Sequence, residues 1–463
     1  MWVLWVASTP ATTADLCDIV TTDVFPNNVL LDIFEHYVYR DRWGKAWHTL
    51  VHVCQRWRRL VFGQPRRLDL RLVCAASTPV RETLGVWPDL PIAIRIWFMD
   101  PTSDMDNVIA ALEHNDRVCE VDLRGVQSLQ AEKVLSVMQK PFPALTALTL
   151  QWYGGTVSVY PNSFSAPRLQ TLCLGGIPFP TLRTLLLHAT DIVTLDVGDL
   201  SRPVYVPPEE LVTCLSALAS LESLSFKFES PPPRPGRQGR HPPPRTRTVL
   251  PALTSLDFEG VSVYLDDLVA RIDAPILSHI HITLSDQPIF DTLRLIQFFR
   301  RTPKLEAFKE SRILFYSDKV EVMVSNHSES IILEILCEES GLQLSPLIQV
   351  CGSSLLPLHT VERLHILENR FLLFPWQDDA KNIQWLEILL PFTAVKNLYL
   401  PVEFAPCIVS VLQELVGESA LDLFPALQNI FLQELGPVQE AIQQLFITRQ
   451  LSGQPITIHN WNP

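Results

Sequence analysis

A short pattern recurs along most of this chain of 463 residues. Each clear copy has a proline, a spacer and then apolar residues at positions one, four and six. Such copies are residues 142–150, 166–174, 250–258, 274–282 and 424–432. Apolar residues two positions apart favour a short strand that turns positions four and six into a core. Repetition of such units predicts a solenoid, in which each repeat covers the apolar face of its neighbour.

With looser matching the pattern forms ten apolar triplets, and the starts of the first five are separated by 27, 24, 23 and 29 residues. The triplets are Val118-Val121-Leu123, Leu145-Leu148-Leu150, Leu169-Leu172-Leu174, Ile192-Leu195-Val197, Leu221-Leu224-Phe226, Leu253-Leu256-Phe258, Leu277-Ile280-Ile282, Val361-Leu364-Ile366, Val395-Leu398-Leu400 and Leu427-Ile430-Leu432. Residues 207–219 and 289–300, between triplets, have helical apolar spacing. The spacing resembles that of leucine-rich repeats, so we predict an irregular leucine-rich-repeat-like αβ solenoid over residues 73–463.

Two stretches interrupt the predicted solenoid. Residues 305–360 have no clear repeat register, which predicts a break or an irregular subregion there. Residues 229–249 mix prolines with arginines and are predicted to form a flexible insertion. Within it, Pro232 to Arg237 has the P-x-x-P-x-R form that polyproline-binding domains accept, although a solvated loop is the favoured interpretation.

The first 75 residues have a different pattern. Residues 1–22 are predicted to be disordered, and a helix over residues 25–38 follows, with Asn27 or Asn28 as its cap. A second helix is predicted from the apolar stripe Trp47, Leu50, Val51, Cys54, Trp57 and Val61. Two short helices cannot bury a stable core alone, so they must pack against a downstream domain, a partner, or both.

The order Phe-Pro-x-x-x-Leu-Leu-x-Ile-Phe from Phe25, followed by residues 53–58 (Val-Cys-Gln-Arg-Trp-Arg), resembles an F-box. Residues 65–70 resemble the exit segment of F-box proteins from mushroom-forming fungi, so the resemblance covers residues 23–72. It implies docking on a Skp-type adaptor, and through it on a cullin. The residues that it places at or behind the adaptor surface are Phe25, Pro26, Leu30, Ile33, Val53, Cys54 and Trp57. The chain departs from the family pattern at Phe25, where leucine is usual, and at Asn28, where an acidic residue is common.

Two other interpretations of the same segment stay open. The helices could be an ordinary terminal cap that covers the first repeat, which is compatible with docking. Residues 40–71 also contain nine basic and two acidic residues, which could suit phosphates. No helix-turn-helix or zinc pattern accompanies them, which makes this the minor option.

The composition limits partners and compartment. The formal net charge of −13 argues against general nucleic-acid binding. Nine cysteines without a C-x-x-C pair indicate reduced, mostly buried thiols. The apolar run at residues 1–7 is too short to span a bilayer, and longer uncharged runs are broken by polar residues, proline or glycine. We therefore expect an intracellular protein, cytoplasmic or nuclear, that does not bind membranes.

The motifs of catalysis and cofactor binding are missing from the sequence. It has no G-x-x-x-x-G-K-[ST], G-x-G-x-x-G or G-x-S-x-G. His359, Glu362 and His365 do not have the spacing of a metal-binding helix. We predict no enzyme, no cofactor, no metal site and no catalytic residue, although a triad built from distant residues stays an alternative.

If positions four and six are buried, positions three and five project onto a concave face. This face runs from small and acidic residues to larger, aromatic and histidine residues along the chain. Its later part is the better candidate for binding a protein substrate, because aromatic and arginine side chains dominate hot spots. The candidate residues are His279, His281, Arg363, His365, Asn397, Tyr399, Asn429 and Phe431. An ordinary solvated sheet face is an equally weighted interpretation.

Together these patterns predict a non-catalytic substrate-recognition subunit of a Skp-cullin-F-box type ubiquitin ligase. The ligase role follows from the resemblance, and the solenoid follows from the residue pattern. The alternative is a repeat scaffold that binds proteins outside the ubiquitin system. The identity of the substrate does not follow from the sequence.

Overall fold

The structure, a computed structural model, describes residues 25–41, 45–75, 77–97, 105–152, 163–176, 182–200, 206–228, 246–285, 293–337, 344–368, 382–414, 423–433, 439–451 and 453–461. The chain divides into two compact units. The first is Met1–Val73 with Val86–Ile92, and the second is Cys74–Gly85 with Ala93–Pro463. The predicted disorder of residues 1–22 lies outside the described residues.

Three helices form the described part of the first unit: α1 (Asn27–Tyr39), α2 (Ala46–Val53) and α3 (Gln55–Gly63). The prediction of a single second helix is wrong. The helix ends at Val53, the backbone of Cys54 is extended, and a separate helix begins at Gln55. The Sγ atom of Cys54 accepts the backbone N–H of Trp57 at 3.5 Å and so caps α3. The apolar residues between Trp47 and Val61 have the spacing of one continuous helix, although they belong to two helices.

The cap predicted for α1 is also wrong. Pro26 is the N-cap residue, and no side chain caps the helix. The buried residues of α1 are Leu30, Leu31 and Phe34, whereas Ile33 and Tyr37 are 49% and 46% exposed. The apolar stripe is therefore wider than the core needs, and part of it faces solvent.

Trp47 is the centre of the core of the first unit. Its indole is 1% exposed, and its Nε1–H donates to the carbonyl oxygen of Arg71 at 3.1 Å. The ring of Trp87 meets it edge-on at 5.1 Å, and Phe62 lies at 6.0 Å. Trp87 thereby joins residues 86–92 to the core of the first unit. The aromatic cluster supplies apolar area that two helices alone would lack.

A mostly parallel sheet of sixteen strands dominates the described residues. Its strands, with the two of a small separate sheet (β8 and β10), are β1 (Leu72–Cys74), β2 (Ile92–Trp97), β3 (Val118–Val126), β4 (Ala147–Trp152), β5 (Thr171–Gly175), β6 (Thr194–Leu200), β7 (Ser223–Phe228), β8 (Thr248–Val249), β9 (Ser255–Gly260), β10 (Ile272–Asp273), β11 (His279–Leu284), β12 (Glu310–Phe315), β13 (Lys319–Ser325), β14 (Ser330–Leu336), β15 (Arg363–Glu368), β16 (Asn397–Leu400), β17 (Asn429–Leu432) and β18 (Thr457–Asn460).

Helices alternate with most of these strands, which makes the second unit mixed α/β. They are α4 (Val80–Val86), α5 (Asp106–Leu112), α6 (Ser128–Val137), α7 (Leu182–His188), α8 (Pro208–Leu215), α9 (Ser262–Val269), α10 (Leu293–Arg300), α11 (Leu344–Gly352), α12 (Asn382–Leu389), α13 (Ala405–Glu414) and α14 (Gln439–Leu451). The helix predicted at 207–219 corresponds to α8, which is shorter at both ends, and the helix predicted at 289–300 corresponds over its described residues 293–300 to α10. Residues 286–292 lie outside the described part.

The strands of the second unit follow the order β2-β3-β4-β5-β6-β7-β9-β11-β14-β13-β12-β15-β16-β17-β18. Position four of one repeat lies directly opposite position four of the next, as in Leu148 with Leu172 and Leu172 with Leu195. The same register joins Leu364 to Leu398 and Leu398 to Ile430. Each apolar row therefore runs across the sheet without a slip in these pairs, as the repeated pattern requires.

Burial confirms the alternation predicted from the sequence. Every residue of the ten apolar triplets is buried, whereas positions three and five of the same strands are mostly half-buried. The burial pattern iBiBiB of β7 and β9 is the clearest case. We call the side of the sheet that carries positions three and five the polar sheet face.

The irregular subregion predicted at 305–360 contains an antiparallel meander over residues 310–336. β13 pairs antiparallel with both β12 and β14, while β14 pairs parallel with β11 and β12 pairs parallel with β15. Residues 310–336 contain three strands and no helix, so the chain adds three strands to the sheet without adding to the helical layer. A regular strand-helix period cannot describe such a segment.

The C-terminal end of the stretch predicted to be a flexible insertion contains regular structure. β8 (Thr248–Val249) pairs parallel with β10, so the last residues of the predicted flexible stretch 229–249 form a short strand. Residues 229–245, including the P-x-x-P-x-R segment, lie outside the described residues. Among the described helices, none has the length and apolar character that crossing a bilayer requires.

Gly176, which follows β5, permits a close approach to the end of the neighbouring strand β4. Its φ is +71°, and a Cβ at this position would lie 2.6 Å from the carbonyl oxygen of Trp152. We predict that Gly176→Ala lowers the free energy of unfolding by about 2 kcal/mol or more, because it adds both backbone strain and a clash. Urea denaturation of the full chain measures this. Gly352→Ala is the matched control, since nothing lies within 4 Å of its added Cβ, and its stability should not fall.

Candidate functional site

The first candidate surface is a set of six exposed residues of the first unit, which we call the helix-junction patch: Phe25, Pro26, Ile33, Tyr37, Val53 and Cys54. The exposed fractions of Phe25, Ile33 and Val53 are 36%, 49% and 54%. Pro26 and Cys54 are also exposed. Exposure of this many apolar side chains on a small unit is typical of an interaction site.

Arg56 joins the start of α1 to the start of α3. Its guanidinium donates to the carbonyl oxygen of Phe25 at 2.6 Å and to Oδ1 of Asn27 at 2.7 and 3.2 Å. These bonds place Phe25 and Pro26 beside the turn that carries Val53 and Cys54. Residues that are 28 positions apart in sequence therefore contribute to one surface.

Leu30 and Trp57 lie behind the patch. Leu30 is 1% exposed, and Trp57 is half-buried with its ring 4.6 Å from that of Phe34. The Nε1–H of Trp57 is buried, with no acceptor among the described residues. The two side chains support the patch from the core side, and Cys54 has the additional role of capping α3.

The second candidate surface is a stack of four rings on the polar sheet face, which we call the aromatic ladder: His365, Tyr399, Phe431 and His459. Each ring comes from position five of consecutive strands β15 to β18. The ring centroids are 4.0, 4.3 and 4.9 Å apart, and the planes are within 4°, 9° and 21° of parallel. Trp461 meets Tyr399 edge-on at 5.4 Å.

A polar row runs beside the ladder at position three. Nδ2 of Asn429 donates to Oδ1 of Asn397 at 2.7 Å, and the hydroxyl of Thr457 is hydrogen-bonded to Oδ1 of Asn429. On the other side, Arg363 donates to Oε2 of Glu310 at 3.0 Å. The register aligns both rows, so the position-three side chains of neighbouring strands lie side by side, as do those at position five.

Charge concentrates where the ladder begins. The carboxylate of Glu310 accepts from Arg312 as well as from Arg363, and their attraction holds its pKa below the usual value even though burial opposes this. Both arginine side chains are more than 40% exposed. Two guanidinium groups therefore share one carboxylate at this end of the ladder.

His365 is the uncharged end of the stack. Burial lowers its pKa to about 4, and the neighbouring Arg312 and Arg363 act in the same direction, against Glu310. The imidazole is therefore neutral near pH 7 and stacks on Tyr399 as an aromatic ring rather than as a cation. The pKa of His365 in the folded protein lies below that of a free imidazole. The folded protein therefore loses stability as the pH falls from about 6.5 towards 4, because the unfolded chain takes up the proton more readily.

The sequence placed the eight candidate substrate residues on one face, but the structure divides them into two sites. Arg363, His365, Asn397, Tyr399, Asn429 and Phe431 lie together on β15, β16 and β17. His279 and His281 lie on β11, from which the strands β14, β13 and β12 of the meander separate them. The sequence did not indicate this separation, because residues 305–360 have no clear repeat register.

His281 lies between two carboxylates. Its Nδ1 is 3.6 Å from Asp257, and its Nε2 is 3.4 Å from Glu334. These are ion-pair distances, longer than good hydrogen bonds, and Nε2 lacks a hydrogen bond of acceptable geometry. The two carboxylates raise the pKa of His281 to about 9, against the effect of burial. His281 and Lys319, which lies 2.8 Å from Glu334, hold the pKa of that carboxyl near 2.

Four residues of the ladder site were missed from the sequence: Glu310, Arg312, His459 and Trp461. Glu310 and Arg312 fall in the stretch whose register could not be assigned. His459 lies on β18, where Ile456 and Ile458 alternate with Thr457 and His459, a short pattern that could have indicated a strand. A strand at the edge of a sheet buries less apolar area, which weakens its pattern in the sequence.

A cleft of about 480 Å³ lies between α10, the end of α11 and the residues that follow α11. Its apolar lining includes Phe299, Leu305 and Leu356, and Arg300 and Glu306 also line it. In the described part of the chain, no cluster of three or more His, Cys, Asp or Glu side chains is placed to hold a metal ion. Burial raises the pKa of the Cys351 thiol in this cleft to about 12, so the thiol is protonated and unreactive near neutral pH.

Comparison with known proteins adds no family to these observations, because no protein-family model and no curated protein matches the chain. The two surfaces are therefore interpreted from their own chemistry.

The pair of carboxylates around His281 makes stability depend on pH. The folded pKa of about 9 exceeds the 6.5 of a free imidazole. The stabilisation is thus complete below pH 6.5 and is lost as the pH rises towards 9. Because the side chain is 38% exposed, solvent screening reduces the effect to about 1 kcal/mol.

We predict that His281→Asn loses this stabilisation at pH 6 and differs little from the parent at pH 9.5, as measured by urea unfolding. The matched control is His279→Asn on the same strand, because His279 contacts the hydroxyl of Ser330 at 3.1 Å rather than a carboxylate. An unchanged pH slope in His281→Asn would contradict the assignment.

Proposed function

We propose that the protein is a substrate-recognition subunit of a Skp-cullin-F-box type ubiquitin ligase. Residues 23–72 would be an F-box that binds a Skp-type adaptor, and the second unit would be a leucine-rich-repeat-like solenoid that binds a protein substrate. The role needs no catalytic residue, because holding a substrate near a charged enzyme raises its effective concentration.

The observation that carries the proposal is the helix-junction patch. Phe25, Pro26, Ile33, Val53 and Cys54 are exposed, although all but the proline are apolar residues that a self-sufficient unit would bury. The same positions were assigned to adaptor contact from the F-box resemblance. The remaining two assigned residues, Leu30 and Trp57, support the patch from behind.

The polar sheet face supports the substrate-binding half of the proposal. The aromatic ladder and the exposed guanidinium groups of Arg312 and Arg363 occupy adjacent strands. Aromatic rings and arginines are the side chains that most often dominate binding energy at protein interfaces. A rigid sheet holds them in place, so little conformational entropy is lost on binding.

Adaptor binding is tested with Ile33→Glu, which replaces a 49%-exposed side chain in the middle of α1. Burying a carboxylate at the adaptor interface should weaken binding about tenfold or more without unfolding the unit. Co-purification with a purified Skp-type adaptor measures this. Ile447→Glu is the matched control, because Ile447 is 55% exposed in α14, a helix of the same length, and should leave adaptor binding unchanged.

A well-folded parent that does not retain the adaptor would count against the F-box. Equal adaptor binding by Ile33→Glu and Ile447→Glu would do the same. In either case residues 23–72 would act as a terminal cap, and a protein-binding scaffold outside the ubiquitin system would be the better proposal.

Substrate recognition is tested by Arg363→Ala/Tyr399→Ala. We expect this variant to retain the adaptor but to lose the proteins that the parent captures from a lysate of its own source, compared by mass spectrometry. Thr194→Ala/Ser223→Ala, on β6 and β7 of the same face, is the control and should capture the same proteins as the parent. Tyr399→Phe keeps the stacked ring and separates loss of binding from loss of packing. Unchanged capture by the double variant would assign substrate binding elsewhere.

A further inference from the structure

The aromatic ladder ends at a sheet edge. β18 is the last strand in the sheet order, and no described strand pairs with its other side. In the pairing with β17, the backbone N–H groups of Thr457 and Trp461 donate to Gln428 and Leu432. Alternate residues of a parallel ladder bond to opposite sides, so the N–H groups of Ile458 and Asn460 point to the open side.

The apolar row is incomplete at this edge. Position four is 0% exposed in Leu398 and Ile430, whereas the equivalent Ile458 is only half-buried. On the helical side, α14 follows α13 and leaves Phe446 38% exposed. A further strand beside β18 would complete the burial of Ile458.

Register defines the chemistry of such a strand. Neighbouring strands lie about 4.8 Å apart, which matches the ladder's ring separations of 4.0 to 4.9 Å. A residue opposite His459 would therefore stack on its exposed imidazole. A residue opposite Thr457 would continue the row of Asn397 and Asn429.

The three strands at this end of the sheet have one local sequence in common. It is a short polar residue, an aliphatic residue and an aromatic or histidine residue: Asn397-Leu398-Tyr399, Asn429-Ile430-Phe431 and Thr457-Ile458-His459. The polar residue enters the hydrogen-bonded row, the aliphatic residue enters the core, and the ring enters the ladder.

We propose that the edge of β18 binds an extended peptide segment of a partner protein by strand addition, and that the segment carries this [Asn/Thr]-[Leu/Ile]-[aromatic/His] sequence. Backbone hydrogen bonds to the edge give affinity, and the ring stacked on His459 gives selectivity. This site is distinct from the helix-junction patch, and the inference does not depend on adaptor binding.

The test uses the full chain and a fluorescein-labelled peptide of residues 427–433 (Leu-Gln-Asn-Ile-Phe-Leu-Gln), whose sequence is that of the natural neighbour of β18. We expect saturable binding in fluorescence anisotropy. The same peptide with alanine in place of its phenylalanine should bind about two- to tenfold more weakly, which corresponds to the loss of one aromatic pair.

Variants of the chain complete the design. His459→Ala should weaken binding of the parent peptide by a similar factor, whereas His459→Phe should restore it, because a ring rather than a proton is required. Asn460→Pro removes an outward N–H group and should reduce the binding of both peptides. Thermal melting of each variant shows whether it remains folded.

Two results would overturn the proposal. One is peptide binding that is absent, or equal for the parent chain, His459→Ala and Asn460→Pro. The other is concentration-dependent dimerisation of the chain, measured by analytical ultracentrifugation, that Asn460→Pro abolishes. The second result would make another copy of this chain, not a partner peptide, the occupant of the edge.

Discussion

The in-register pairing of parallel strands is the constraint on which the second unit depends. A strand turns alternate side chains to opposite faces, so one slipped residue would exchange the core and solvent sets. Position-four leucines and isoleucines meet across parallel pairs such as β4–β5, β5–β6 and β16–β17, which keeps the buried rows continuous there. The same register places positions three and five in rows on the other face. The register that aligns the buried side chains therefore also aligns the side chains on the polar sheet face.

The antiparallel meander shows how this constraint tolerates an exception. β14 and β12 keep parallel register with β11 and β15, and only β13 runs in the opposite direction. The apolar alternation is preserved, since Ile331, Leu333 and Ile335 are buried. Residues 310–336 add no helix, and a cleft lies beside α10. The same three strands separate His281 and its carboxylates from the aromatic ladder.

The two units expose apolar chemistry in different ways. In the first, side chains of short helices remain in solvent because the core around Trp47 needs only one side of each helix. In the second, rings stack on one another and present their edges, so exposure is moderate and the geometry is rigid. A patch of the first kind suits docking of an apolar partner surface. A ladder suits selective recognition, since ring spacing and charge are fixed before binding.

The sequence by itself determined the α/β alternation, the identity of the buried triplets and the face that carries Tyr399 and Phe431. These features follow from a period of two, which is a local property. It did not determine the break at Cys54, because the two helices of the first unit kept one apparent stripe across the break. Nor did it place Glu310 and Arg312 beside Arg363, since their adjacency arises from pairing across about 50 residues.

Only the tertiary structure decided which exposed positions become neighbours and how their charges respond. His281 and His365 have the same position in their strands and the same free pKa. Two adjacent carboxylates raise the pKa of the first, whereas burial lowers that of the second. The pattern of a strand fixes the direction of its side chains, but the identity of the neighbouring strand fixes their environment. That identity depends on the order of the whole sheet, which no local pattern encodes.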